Sequence, residues 1–198
     1  MVEDCEFEVP SWEKIYAMLL HLAQRIRKSG FEADVIVGVC RGGWLPARVL
    51  SDLLGNPRMA SVKTEFYLGV VQAKGEPRIT QPVSVSVKGK KVLVVDDVTD
   101  GGKSLCLVKF HLHELGAEVK TVTLYYKPWS IITPDYYEKT TTRWIVFPWE
   151  TRETVRSVIE KFRKQRKTIE EAKKKLIESG LKHRLVEYFI EEFGEEKK

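Results

Sequence analysis

The spacing of apolar residues predicts alternating helices and strands along the first 150 positions. Ser11 is placed to cap a helix that runs through Arg27, with one apolar face and with Gly30 as its stop. Short apolar runs bounded by glycines and polar residues are typical of strands buried on both faces. Such runs occur at residues 34–39, 91–95 and 119–126, and a fourth strand is predicted at 144–147.

Helical patterns follow the first two of these strands, over residues 44–54 and from Gly102 to about Leu115. Strand, glycine turn, helix and strand in repetition indicate βαβ units, and hence an α/β fold with a parallel sheet flanked by helices. Ligand sites in such sheets lie beyond the carboxyl ends of the strands. The candidate functional residues are therefore those that follow the strands, near Arg41, Asp96 and Lys127.

Residues 58–88 are less regular, with several glycines and prolines. The period-two run Val83, Val85 and Val87 predicts an antiparallel strand within them.

Residues 151–198 differ from the rest, and we expect a basic helical extension to a core of residues 1–150. The pattern predicts a helix over 151–167, a second helix that begins with a capping box at Thr168 and Glu171, and a third over 181–193. An apolar stripe on the third helix suits burial against the core or against a second subunit. The stripe consists of Leu181, Leu185, Tyr188 and Phe189.

Composition excludes several classes of protein. A hydrophobic fraction of 43% excludes a disordered chain, and no run approaches the ~20 apolar residues that a transmembrane helix needs. The acidic N-terminus lacks the apolar segment of a signal peptide. Cys5, Cys40 and Cys106 fit neither a disulfide framework nor a zinc site, so we expect a cytoplasmic protein. A single Asn among many charged residues suggests a heat-adapted source.

The net charge of +5 is unevenly distributed. Residues 1–150 carry 19 basic and 18 acidic side chains, whereas residues 151–198 carry 14 and 10. A basic extension can contact nucleic acid, but a solvated helical face is the commoner reason for such a charge pattern. Nucleic acid is therefore not the expected partner.

The segment from Val92 to Ser104 carries the strongest chemical pattern. An apolar strand leads to three carboxylates, Asp96, Asp97 and Asp100, and then to a helix that begins with glycines. Unpaired amides at a helix N-terminus bind phosphate, and glycines allow its close approach. A sugar phosphate suits both groups, because its hydroxyls can bind the carboxylates and its phosphate can bind the amides.

A Walker A loop, a prenyl-synthase metal site and a simple helix cap each fit this segment less well. A Walker A loop requires Gly where the chain has Asp97. The Asp-Asp-x-x-Asp magnesium site of all-α prenyl synthases lies on a helix, whereas this one follows a strand. A polar helix cap needs one Asp, and three carboxylates at a strand end are costly unless they bind something.

The sequence from Val94 to Ser104 resembles the phosphoribosyl pyrophosphate (PRPP) motif of the type I phosphoribosyltransferases, especially the 6-oxopurine branch. The resemblance covers about residues 10–150 and implies the type I phosphoribosyltransferase fold, with a small hood and, in this chain, the helical extension. It also implies PRPP and Mg²⁺ as co-substrate and cofactor, and a homodimer or higher homo-oligomer. The chain has Gly101 where the family usually has Thr, so backbone amides would hold the phosphate there.

The resemblance also implies roles for the PRPP-binding positions. Asp96 and Asp97 would bind the ribose hydroxyls and help place Mg²⁺, and Asp100 would exchange the proton of purine N7. The 5′-phosphate would lie against Gly101, Gly102, Lys103 and Ser104. The pyrophosphate would face Arg41, Gly42 and Gly43.

The segments Tyr125–Pro128 and Trp144–Glu150 resemble the base site of xanthine-guanine phosphoribosyltransferases. Lys127 would donate to the purine O6, and Trp144 would stack on the base. Backbone groups near Ile145 would contact the purine edge, and Glu150 would reach Mg²⁺ or the base pocket. For Trp149, packing in the core is the better interpretation.

Residues 64–88 occupy the position of the family's mobile loop, which would exclude water on closing. The implied reaction is transfer of the phosphoribosyl group from PRPP to guanine, xanthine or hypoxanthine in purine salvage, with release of pyrophosphate. Two alternatives stay open: a PRPP-sensing regulator that binds nucleic acid through the basic extension, and a phosphoribosyltransferase for another base.

Overall fold

The computed structural model describes residues 6–67 and 75–195. Its strands are β1 (Phe7–Glu8), β2 (Val35–Cys40), β3 (Met59–Tyr67), β4 (Glu76–Gln81), β5 (Lys91–Thr99), β6 (Glu118–Tyr126), β7 (Tyr136–Thr140) and β8 (Trp144–Ile145). Its α-helices are α1 (Trp12–Lys28), α2 (Trp44–Leu54), α3 (Lys103–Glu114), α4 (Thr151–Lys164), α5 (Ile169–Glu178) and α6 (His183–Glu195). By internal contacts the chain forms two compact units, residues 15–142 and residues 6–14 with 143–195.

The larger unit, residues 15–142, contains a six-stranded sheet in the order β4-β3-β2-β5-β6-β7. All neighbours in this sheet are parallel except β3 and β4, which form an antiparallel pair at one edge. Helices connect β2 to β3 and β5 to β6, as parallel pairing requires. The predicted mostly parallel α/β fold is confirmed.

Burial on both faces explains why the apolar runs became central strands. The first five residues of β2 are all buried, and α2 packs so closely on it that a Cβ added at Gly38 would lie 3.0 Å from the Ala47 Cβ. The other face of the sheet packs against α3. The core on that side consists of Val35, Val37, Val39, Ala60, Val62, Val87, Val92, Val94, Leu105, Val108, Leu112 and Ala117.

The strand predicted over Val83–Val87 is wrong, because the antiparallel strand is β4, which ends at Gln81. Pro82 follows directly, and its missing N–H cannot continue a ladder. The chain then runs irregularly, with Val87 buried in the core and Val85 exposed. The predicted mobile loop includes residues 68–74, which lie outside the described residues.

Asp135 holds the entry to β7 against β6. Its carboxylate accepts hydrogen bonds from the Thr121 amide and hydroxyl and from Lys120. Burial by itself would raise the pKa of Asp135, but these bonds, with Lys109 nearby, outweigh burial and hold the pKa below its usual value. The ionised carboxylate therefore stabilises the fold.

We predict that Asp135→Asn lowers the free energy of unfolding by roughly 1 kcal/mol at pH 7. The loss is modest because the carboxylate is only partly buried and solvent screens its charge. A lowered carboxyl pKa contributes stability above its unfolded value and loses it as pH falls through the folded value. The difference between the two proteins should therefore shrink below about pH 4. Thermal melts at pH 7 and pH 3 measure it; a difference that is unchanged at pH 3 would contradict the assignment.

The smaller unit combines the short parallel pair β1 and β8 with α4, α5 and α6. The capping box is confirmed: the Thr168 hydroxyl accepts from the Glu171 amide, and the Glu171 carboxylate accepts from the Thr168 amide. The helices enclose their own core, which includes Val146 as well as residues of all three helices. Packing thus divides the chain at residue 142, whereas a functional boundary after residue 150 stays a prediction.

The predicted stripe on the last helix is only partly buried. Leu181 is buried and Phe189 packs against the core, but Leu185 and Tyr188 are exposed. Val186 and Phe193 take the buried positions instead. Leu181 precedes the helix, which begins at His183, so it is not part of the helical stripe; the inward face carries Val186, Phe189, Ile190 and Phe193.

Within residues 6–67 and 75–195, every helix is too short or too polar to cross a bilayer.

Candidate active site

The loop that follows β2 lies against the carboxyl-terminal part of the neighbouring strand β5. The β2 loop (residues 41–43) follows β2, and Asp96 and Asp97 lie near the end of β5, which pairs with β2. A Cβ added at Gly42 would lie 1.9 Å from the Asp97 Oδ2, and one at Gly43 would lie 2.3 Å from the Val95 carbonyl oxygen. Two motifs far apart in sequence, predicted to share one ligand, are therefore in contact.

Gly42→Ala tests this close approach. The added methyl has to displace the Asp97 carboxylate, so we expect the KM for PRPP to rise roughly tenfold, in the range that overpacking costs. Lys28→Ala is the control, because Lys28 is exposed at the end of α1 and no PRPP-binding role is assigned to it. Its KM should stay within about twofold of the unaltered protein. Equal effects of the two substitutions in steady-state kinetics would contradict the argument.

Asp97 is 7% exposed, whereas Asp96 is only partly buried and stays in reach of solvent. The Asp96 Oδ1 accepts from the Asp97 amide, and the Asp97 Oδ1 accepts from the Val98 amide. These bonds fix both side chains against the backbone of the strand end. The two carboxylates are thus held in place near the end of β5.

The N-terminus of α3 is open to an anion. The β5 loop (residues 100–102) precedes it, and no side chain caps the helix, whose N-cap Gly102 has φ +78°. That left-handed conformation and the Ser130 Oγ, 2.3 Å from an added Cβ, both require glycine at this position. Lys103 pairs with Glu76 of β4 at 2.5 Å. Exposed ion pairs contribute little, so exchange of Glu76 for a phosphate at Lys103 costs little.

A third segment, the β6 turn (residues 127–132), is joined to the β5 loop. The Lys127 amide donates to the Thr99 carbonyl at 3.0 Å, and the Ile131 amide donates to the Gly101 carbonyl at 3.3 Å. Lys127 is only 5% exposed although it is a cation. The structure therefore brings Lys127 together with the β5 loop, as the strand-end argument predicted.

Sequence reasoning missed Trp129 in this turn. Its indole Nε1 donates to the Asp100 Oδ1 at 2.8 Å, and the Lys127 Nζ lies 5.4 Å from the centroid of its ring. The sequence pattern that could have identified it is its position two residues after Lys127. No motif assigned that position a role.

Trp144, Ile145 and Glu150 belong to the smaller unit. Trp144 is 55% exposed, so it is not a core residue, whereas Ile145 is buried opposite Glu8 in the β1–β8 pair. Trp149 packs as predicted, with its ring stacked on Phe147 at 4.8 Å. The base-binding and metal-binding roles of the first three stay predictions.

The donor set suits magnesium only in part. Among the described residues, no group of three or more His, Cys, Asp or Glu side chains is arranged to hold a metal ion. Mg²⁺ is commonly bound by one or two carboxylates, with substrate phosphates and water completing the shell. Asp96 and Asp97 are such a pair, so they fit a magnesium ion that arrives with a phosphorylated substrate.

Known proteins place this arrangement in context. The xanthine-guanine phosphoribosyltransferase of Gluconobacter oxydans is 29% identical over 143 residues, which cover 71% of this chain and 83% of that protein. The enzyme of the same name from Idiomarina loihiensis is 30% identical over 142 residues, covering 71% and 84%. Both matches cover most of the relative.

Solved structures agree on the fold. A purine phosphoribosyltransferase from Pyrococcus horikoshii superposes with a TM-score of 0.66 at 39% identity, covering 73% of this chain and 94% of that one. A Helicobacter pylori xanthine-guanine-hypoxanthine phosphoribosyltransferase superposes with a TM-score of 0.65 at 21% identity, a likeness of fold. The phosphoribosyl transferase domain family matches residues 8–155, about three quarters of the sequence. The resemblance inferred from the motifs is confirmed: this chain belongs to the phosphoribosyl transferase domain family.

Proposed function

We propose that this protein transfers the 5-phosphoribosyl group from PRPP to a 6-oxopurine base, giving a nucleoside 5′-monophosphate and pyrophosphate in purine salvage. The observation that carries the proposal is the set of contacts around the carboxyl end of β5, where the β2 loop lies against Asp96 and Asp97 and the β6 turn bonds to Thr99 and Gly101. The β2 loop, the end of β5 with its loop, and the β6 turn each supply a group that one part of the reaction needs. Relatives named for xanthine-guanine and purine phosphoribosyl transfer support it.

PRPP would bind along the β2 loop, the carboxyl end of β5 and the β5 loop. Asp96 and Asp97 would accept hydrogen bonds from the ribose hydroxyls, and the amides of Lys103 and Ser104 would hold the 5′-phosphate. Arg41 and the amides of Gly42 and Gly43 would face the pyrophosphate, where a cation offsets the charge that develops as it leaves. Mg²⁺, when bound with PRPP, neutralises pyrophosphate charge, and Asp96 and Asp97 are the residues that would hold it, with Glu150 as a further candidate.

In the chemical step, the bond between ribose C1 and the pyrophosphate oxygen breaks, and its electron pair leaves with the pyrophosphate. A purine nitrogen attacks the resulting oxocarbenium-like carbon. Asp100, at the start of the β5 loop, would accept the proton that the base loses from N7. Asp100 is therefore the proposed catalytic residue. General-base catalysis of this kind contributes about 10²–10⁴ in rate.

Lys127 would donate a hydrogen bond to the purine O6. A buried cation favours a carbonyl oxygen and disfavours the amino group that adenine carries at the same position. Trp144 would stack on the base, an interaction worth about 1–3 kcal/mol. Backbone groups at Ile145 would contact the purine edge.

We also propose that the protein works in the cytoplasm as a homodimer or larger homo-oligomer. The three cysteines, which fit neither a disulfide framework nor a zinc site, support the location.

A panel of bases tests the proposal. Purified protein with PRPP and Mg²⁺ is assayed with guanine, xanthine, hypoxanthine and adenine, and nucleotide formation is measured. Turnover of at least one 6-oxopurine, well above adenine, is expected. Turnover of adenine or a pyrimidine alone would instead support a phosphoribosyltransferase for another base. Absence of turnover, with salt-dependent binding of an oligonucleotide, would support a PRPP-sensing regulator.

A further inference from the structure

Trp129 makes two contacts that its sequence position did not predict. The indole N–H donates to one oxygen of Asp100, and the face of the ring lies beside the ammonium of Lys127. These are the two side chains proposed to take the N7 proton and to bind O6. One aromatic residue therefore touches both polar groups on which base chemistry would depend.

The backbone around Trp129 is fixed. The Ser130 amide donates to the Lys127 carbonyl at 3.0 Å, which closes a turn, and the Ser130 Oγ donates to the Ile132 carbonyl at 2.9 Å. The Ile131 amide is bonded to the Gly101 carbonyl, on the other side of Asp100 from Thr99. Two backbone bonds thus flank the indole–carboxylate bond, and together the three bonds join the β6 turn to the β5 loop.

We propose that Trp129 is a positioning residue that fixes the orientation of the Asp100 carboxylate for proton transfer, an inference that rests on the proposed function. Without a partner, an exposed carboxylate rotates about its side-chain bonds. With Oδ1 bound by the indole N–H, Oδ2 is directed to the proton that leaves the base. Because its ring also lies beside Lys127, Trp129 holds the ammonium and the carboxylate in fixed positions relative to each other. Catalysis needs this, since reacting groups must be held within a fraction of an ångström.

The kinetic test is Trp129→Phe, which keeps an aromatic ring and removes the N–H donor. We expect kcat to fall roughly tenfold, the effect of one hydrogen bond to a charged group, with the KM for PRPP unchanged. Trp12→Phe is the matched control, because Trp12 and Trp129 are each 54% exposed. Its kcat should stay within about twofold. A rise in the KM for PRPP with constant kcat would overturn the positioning role.

A double-mutant cycle separates orientation from a merely structural effect. If Trp129 acts through Asp100, Trp129→Phe should cause no further loss of kcat in the Asp100→Ala background. Alanine is required here, since Asn would keep an oxygen that accepts from the indole. An additional loss of roughly tenfold in the double variant would contradict action through Asp100.

The contact can be tested without turnover. The sequence contains five tryptophans, so an ¹⁵N-labelled sample gives at most five indole N–H resonances. Trp129→Phe assigns one of them, and Asp100→Ala should shift that resonance while leaving the Trp12 resonance in place. An unmoved Trp129 resonance would overturn the hydrogen bond. If the resonance shifts but the unaltered protein has no transferase activity, the hydrogen bond stands and the proposed function is refuted.

Discussion

Asp100→Asn should lower kcat with any accepted 6-oxopurine by about 10²–10⁴, the contribution of a positioned general base. The amide has nearly the shape of the carboxylate and keeps an acceptor for the Trp129 indole, so the loop geometry should persist. The KM for PRPP should therefore change little, because the residues assigned to PRPP do not include Asp100. Steady-state kinetics with guanine and saturating PRPP measures both constants.

Asp52→Asn serves as the control for this substitution. Asp52 is an exposed aspartate in α2, and its replacement should leave kcat within about twofold. If Asp100→Asn keeps the full rate, another group takes the proton and Asp100 has no catalytic role. If it loses activity through a raised KM for PRPP, the residue binds substrate instead.

Lys127→Met should reduce kcat/KM for guanine by about 10²-fold, because the buried partner of a polar substrate group contributes roughly 2–5 kcal/mol. Methionine preserves the length of the buried chain and removes only the charge and the donors. The kcat/KM for adenine should not fall in parallel, since the wild-type cation disfavours its amino group. The ratio of guanine to adenine should therefore collapse.

The ratio protects this prediction against a trivial loss of folded protein, which would lower both rates equally. Lys28→Met, on the exposed end of α1, removes the same charge away from the β6 turn and should leave the ratio unchanged. A Lys127→Met protein that still prefers guanine to adenine by the wild-type factor would show that O6 is bound by another group.

The sequence predicted the parts of this protein where a single physical cause dominates. Val35–Val39 and Lys91–Val95 lie in central strands because runs of apolar residues need burial on both faces. Gly102 is the N-cap of α3. Only glycine fits there, because its φ is +78° and the Ser130 side chain leaves no room for a Cβ. The same logic placed Arg41 and Lys127 at the carboxyl ends of β2 and β6, the strands on either side of β5.

The misses have physical causes too. β7 (Tyr136–Thr140) is an edge strand of tyrosines and charged residues with little buried surface, so it carries no apolar pattern. The valines after Pro82 alternate with a period of two, but residues 82–87 pair with no neighbouring strand and so form no strand themselves. Trp129 contacts Asp100 although the two residues are 29 positions apart in the sequence. A contact between such distant residues produces no periodic pattern that the sequence could show.

The proposed function requires a single reaction that transfers the phosphoribosyl group of PRPP to a 6-oxopurine and releases pyrophosphate. The most direct measurement follows PRPP, guanine, nucleotide and pyrophosphate together in a reaction with Mg²⁺, repeated with xanthine and with hypoxanthine. We expect at least one base to give nucleoside 5′-monophosphate and pyrophosphate in equal amounts as PRPP disappears. Loss of PRPP without nucleotide, or no reaction with any of the three bases, would contradict the account.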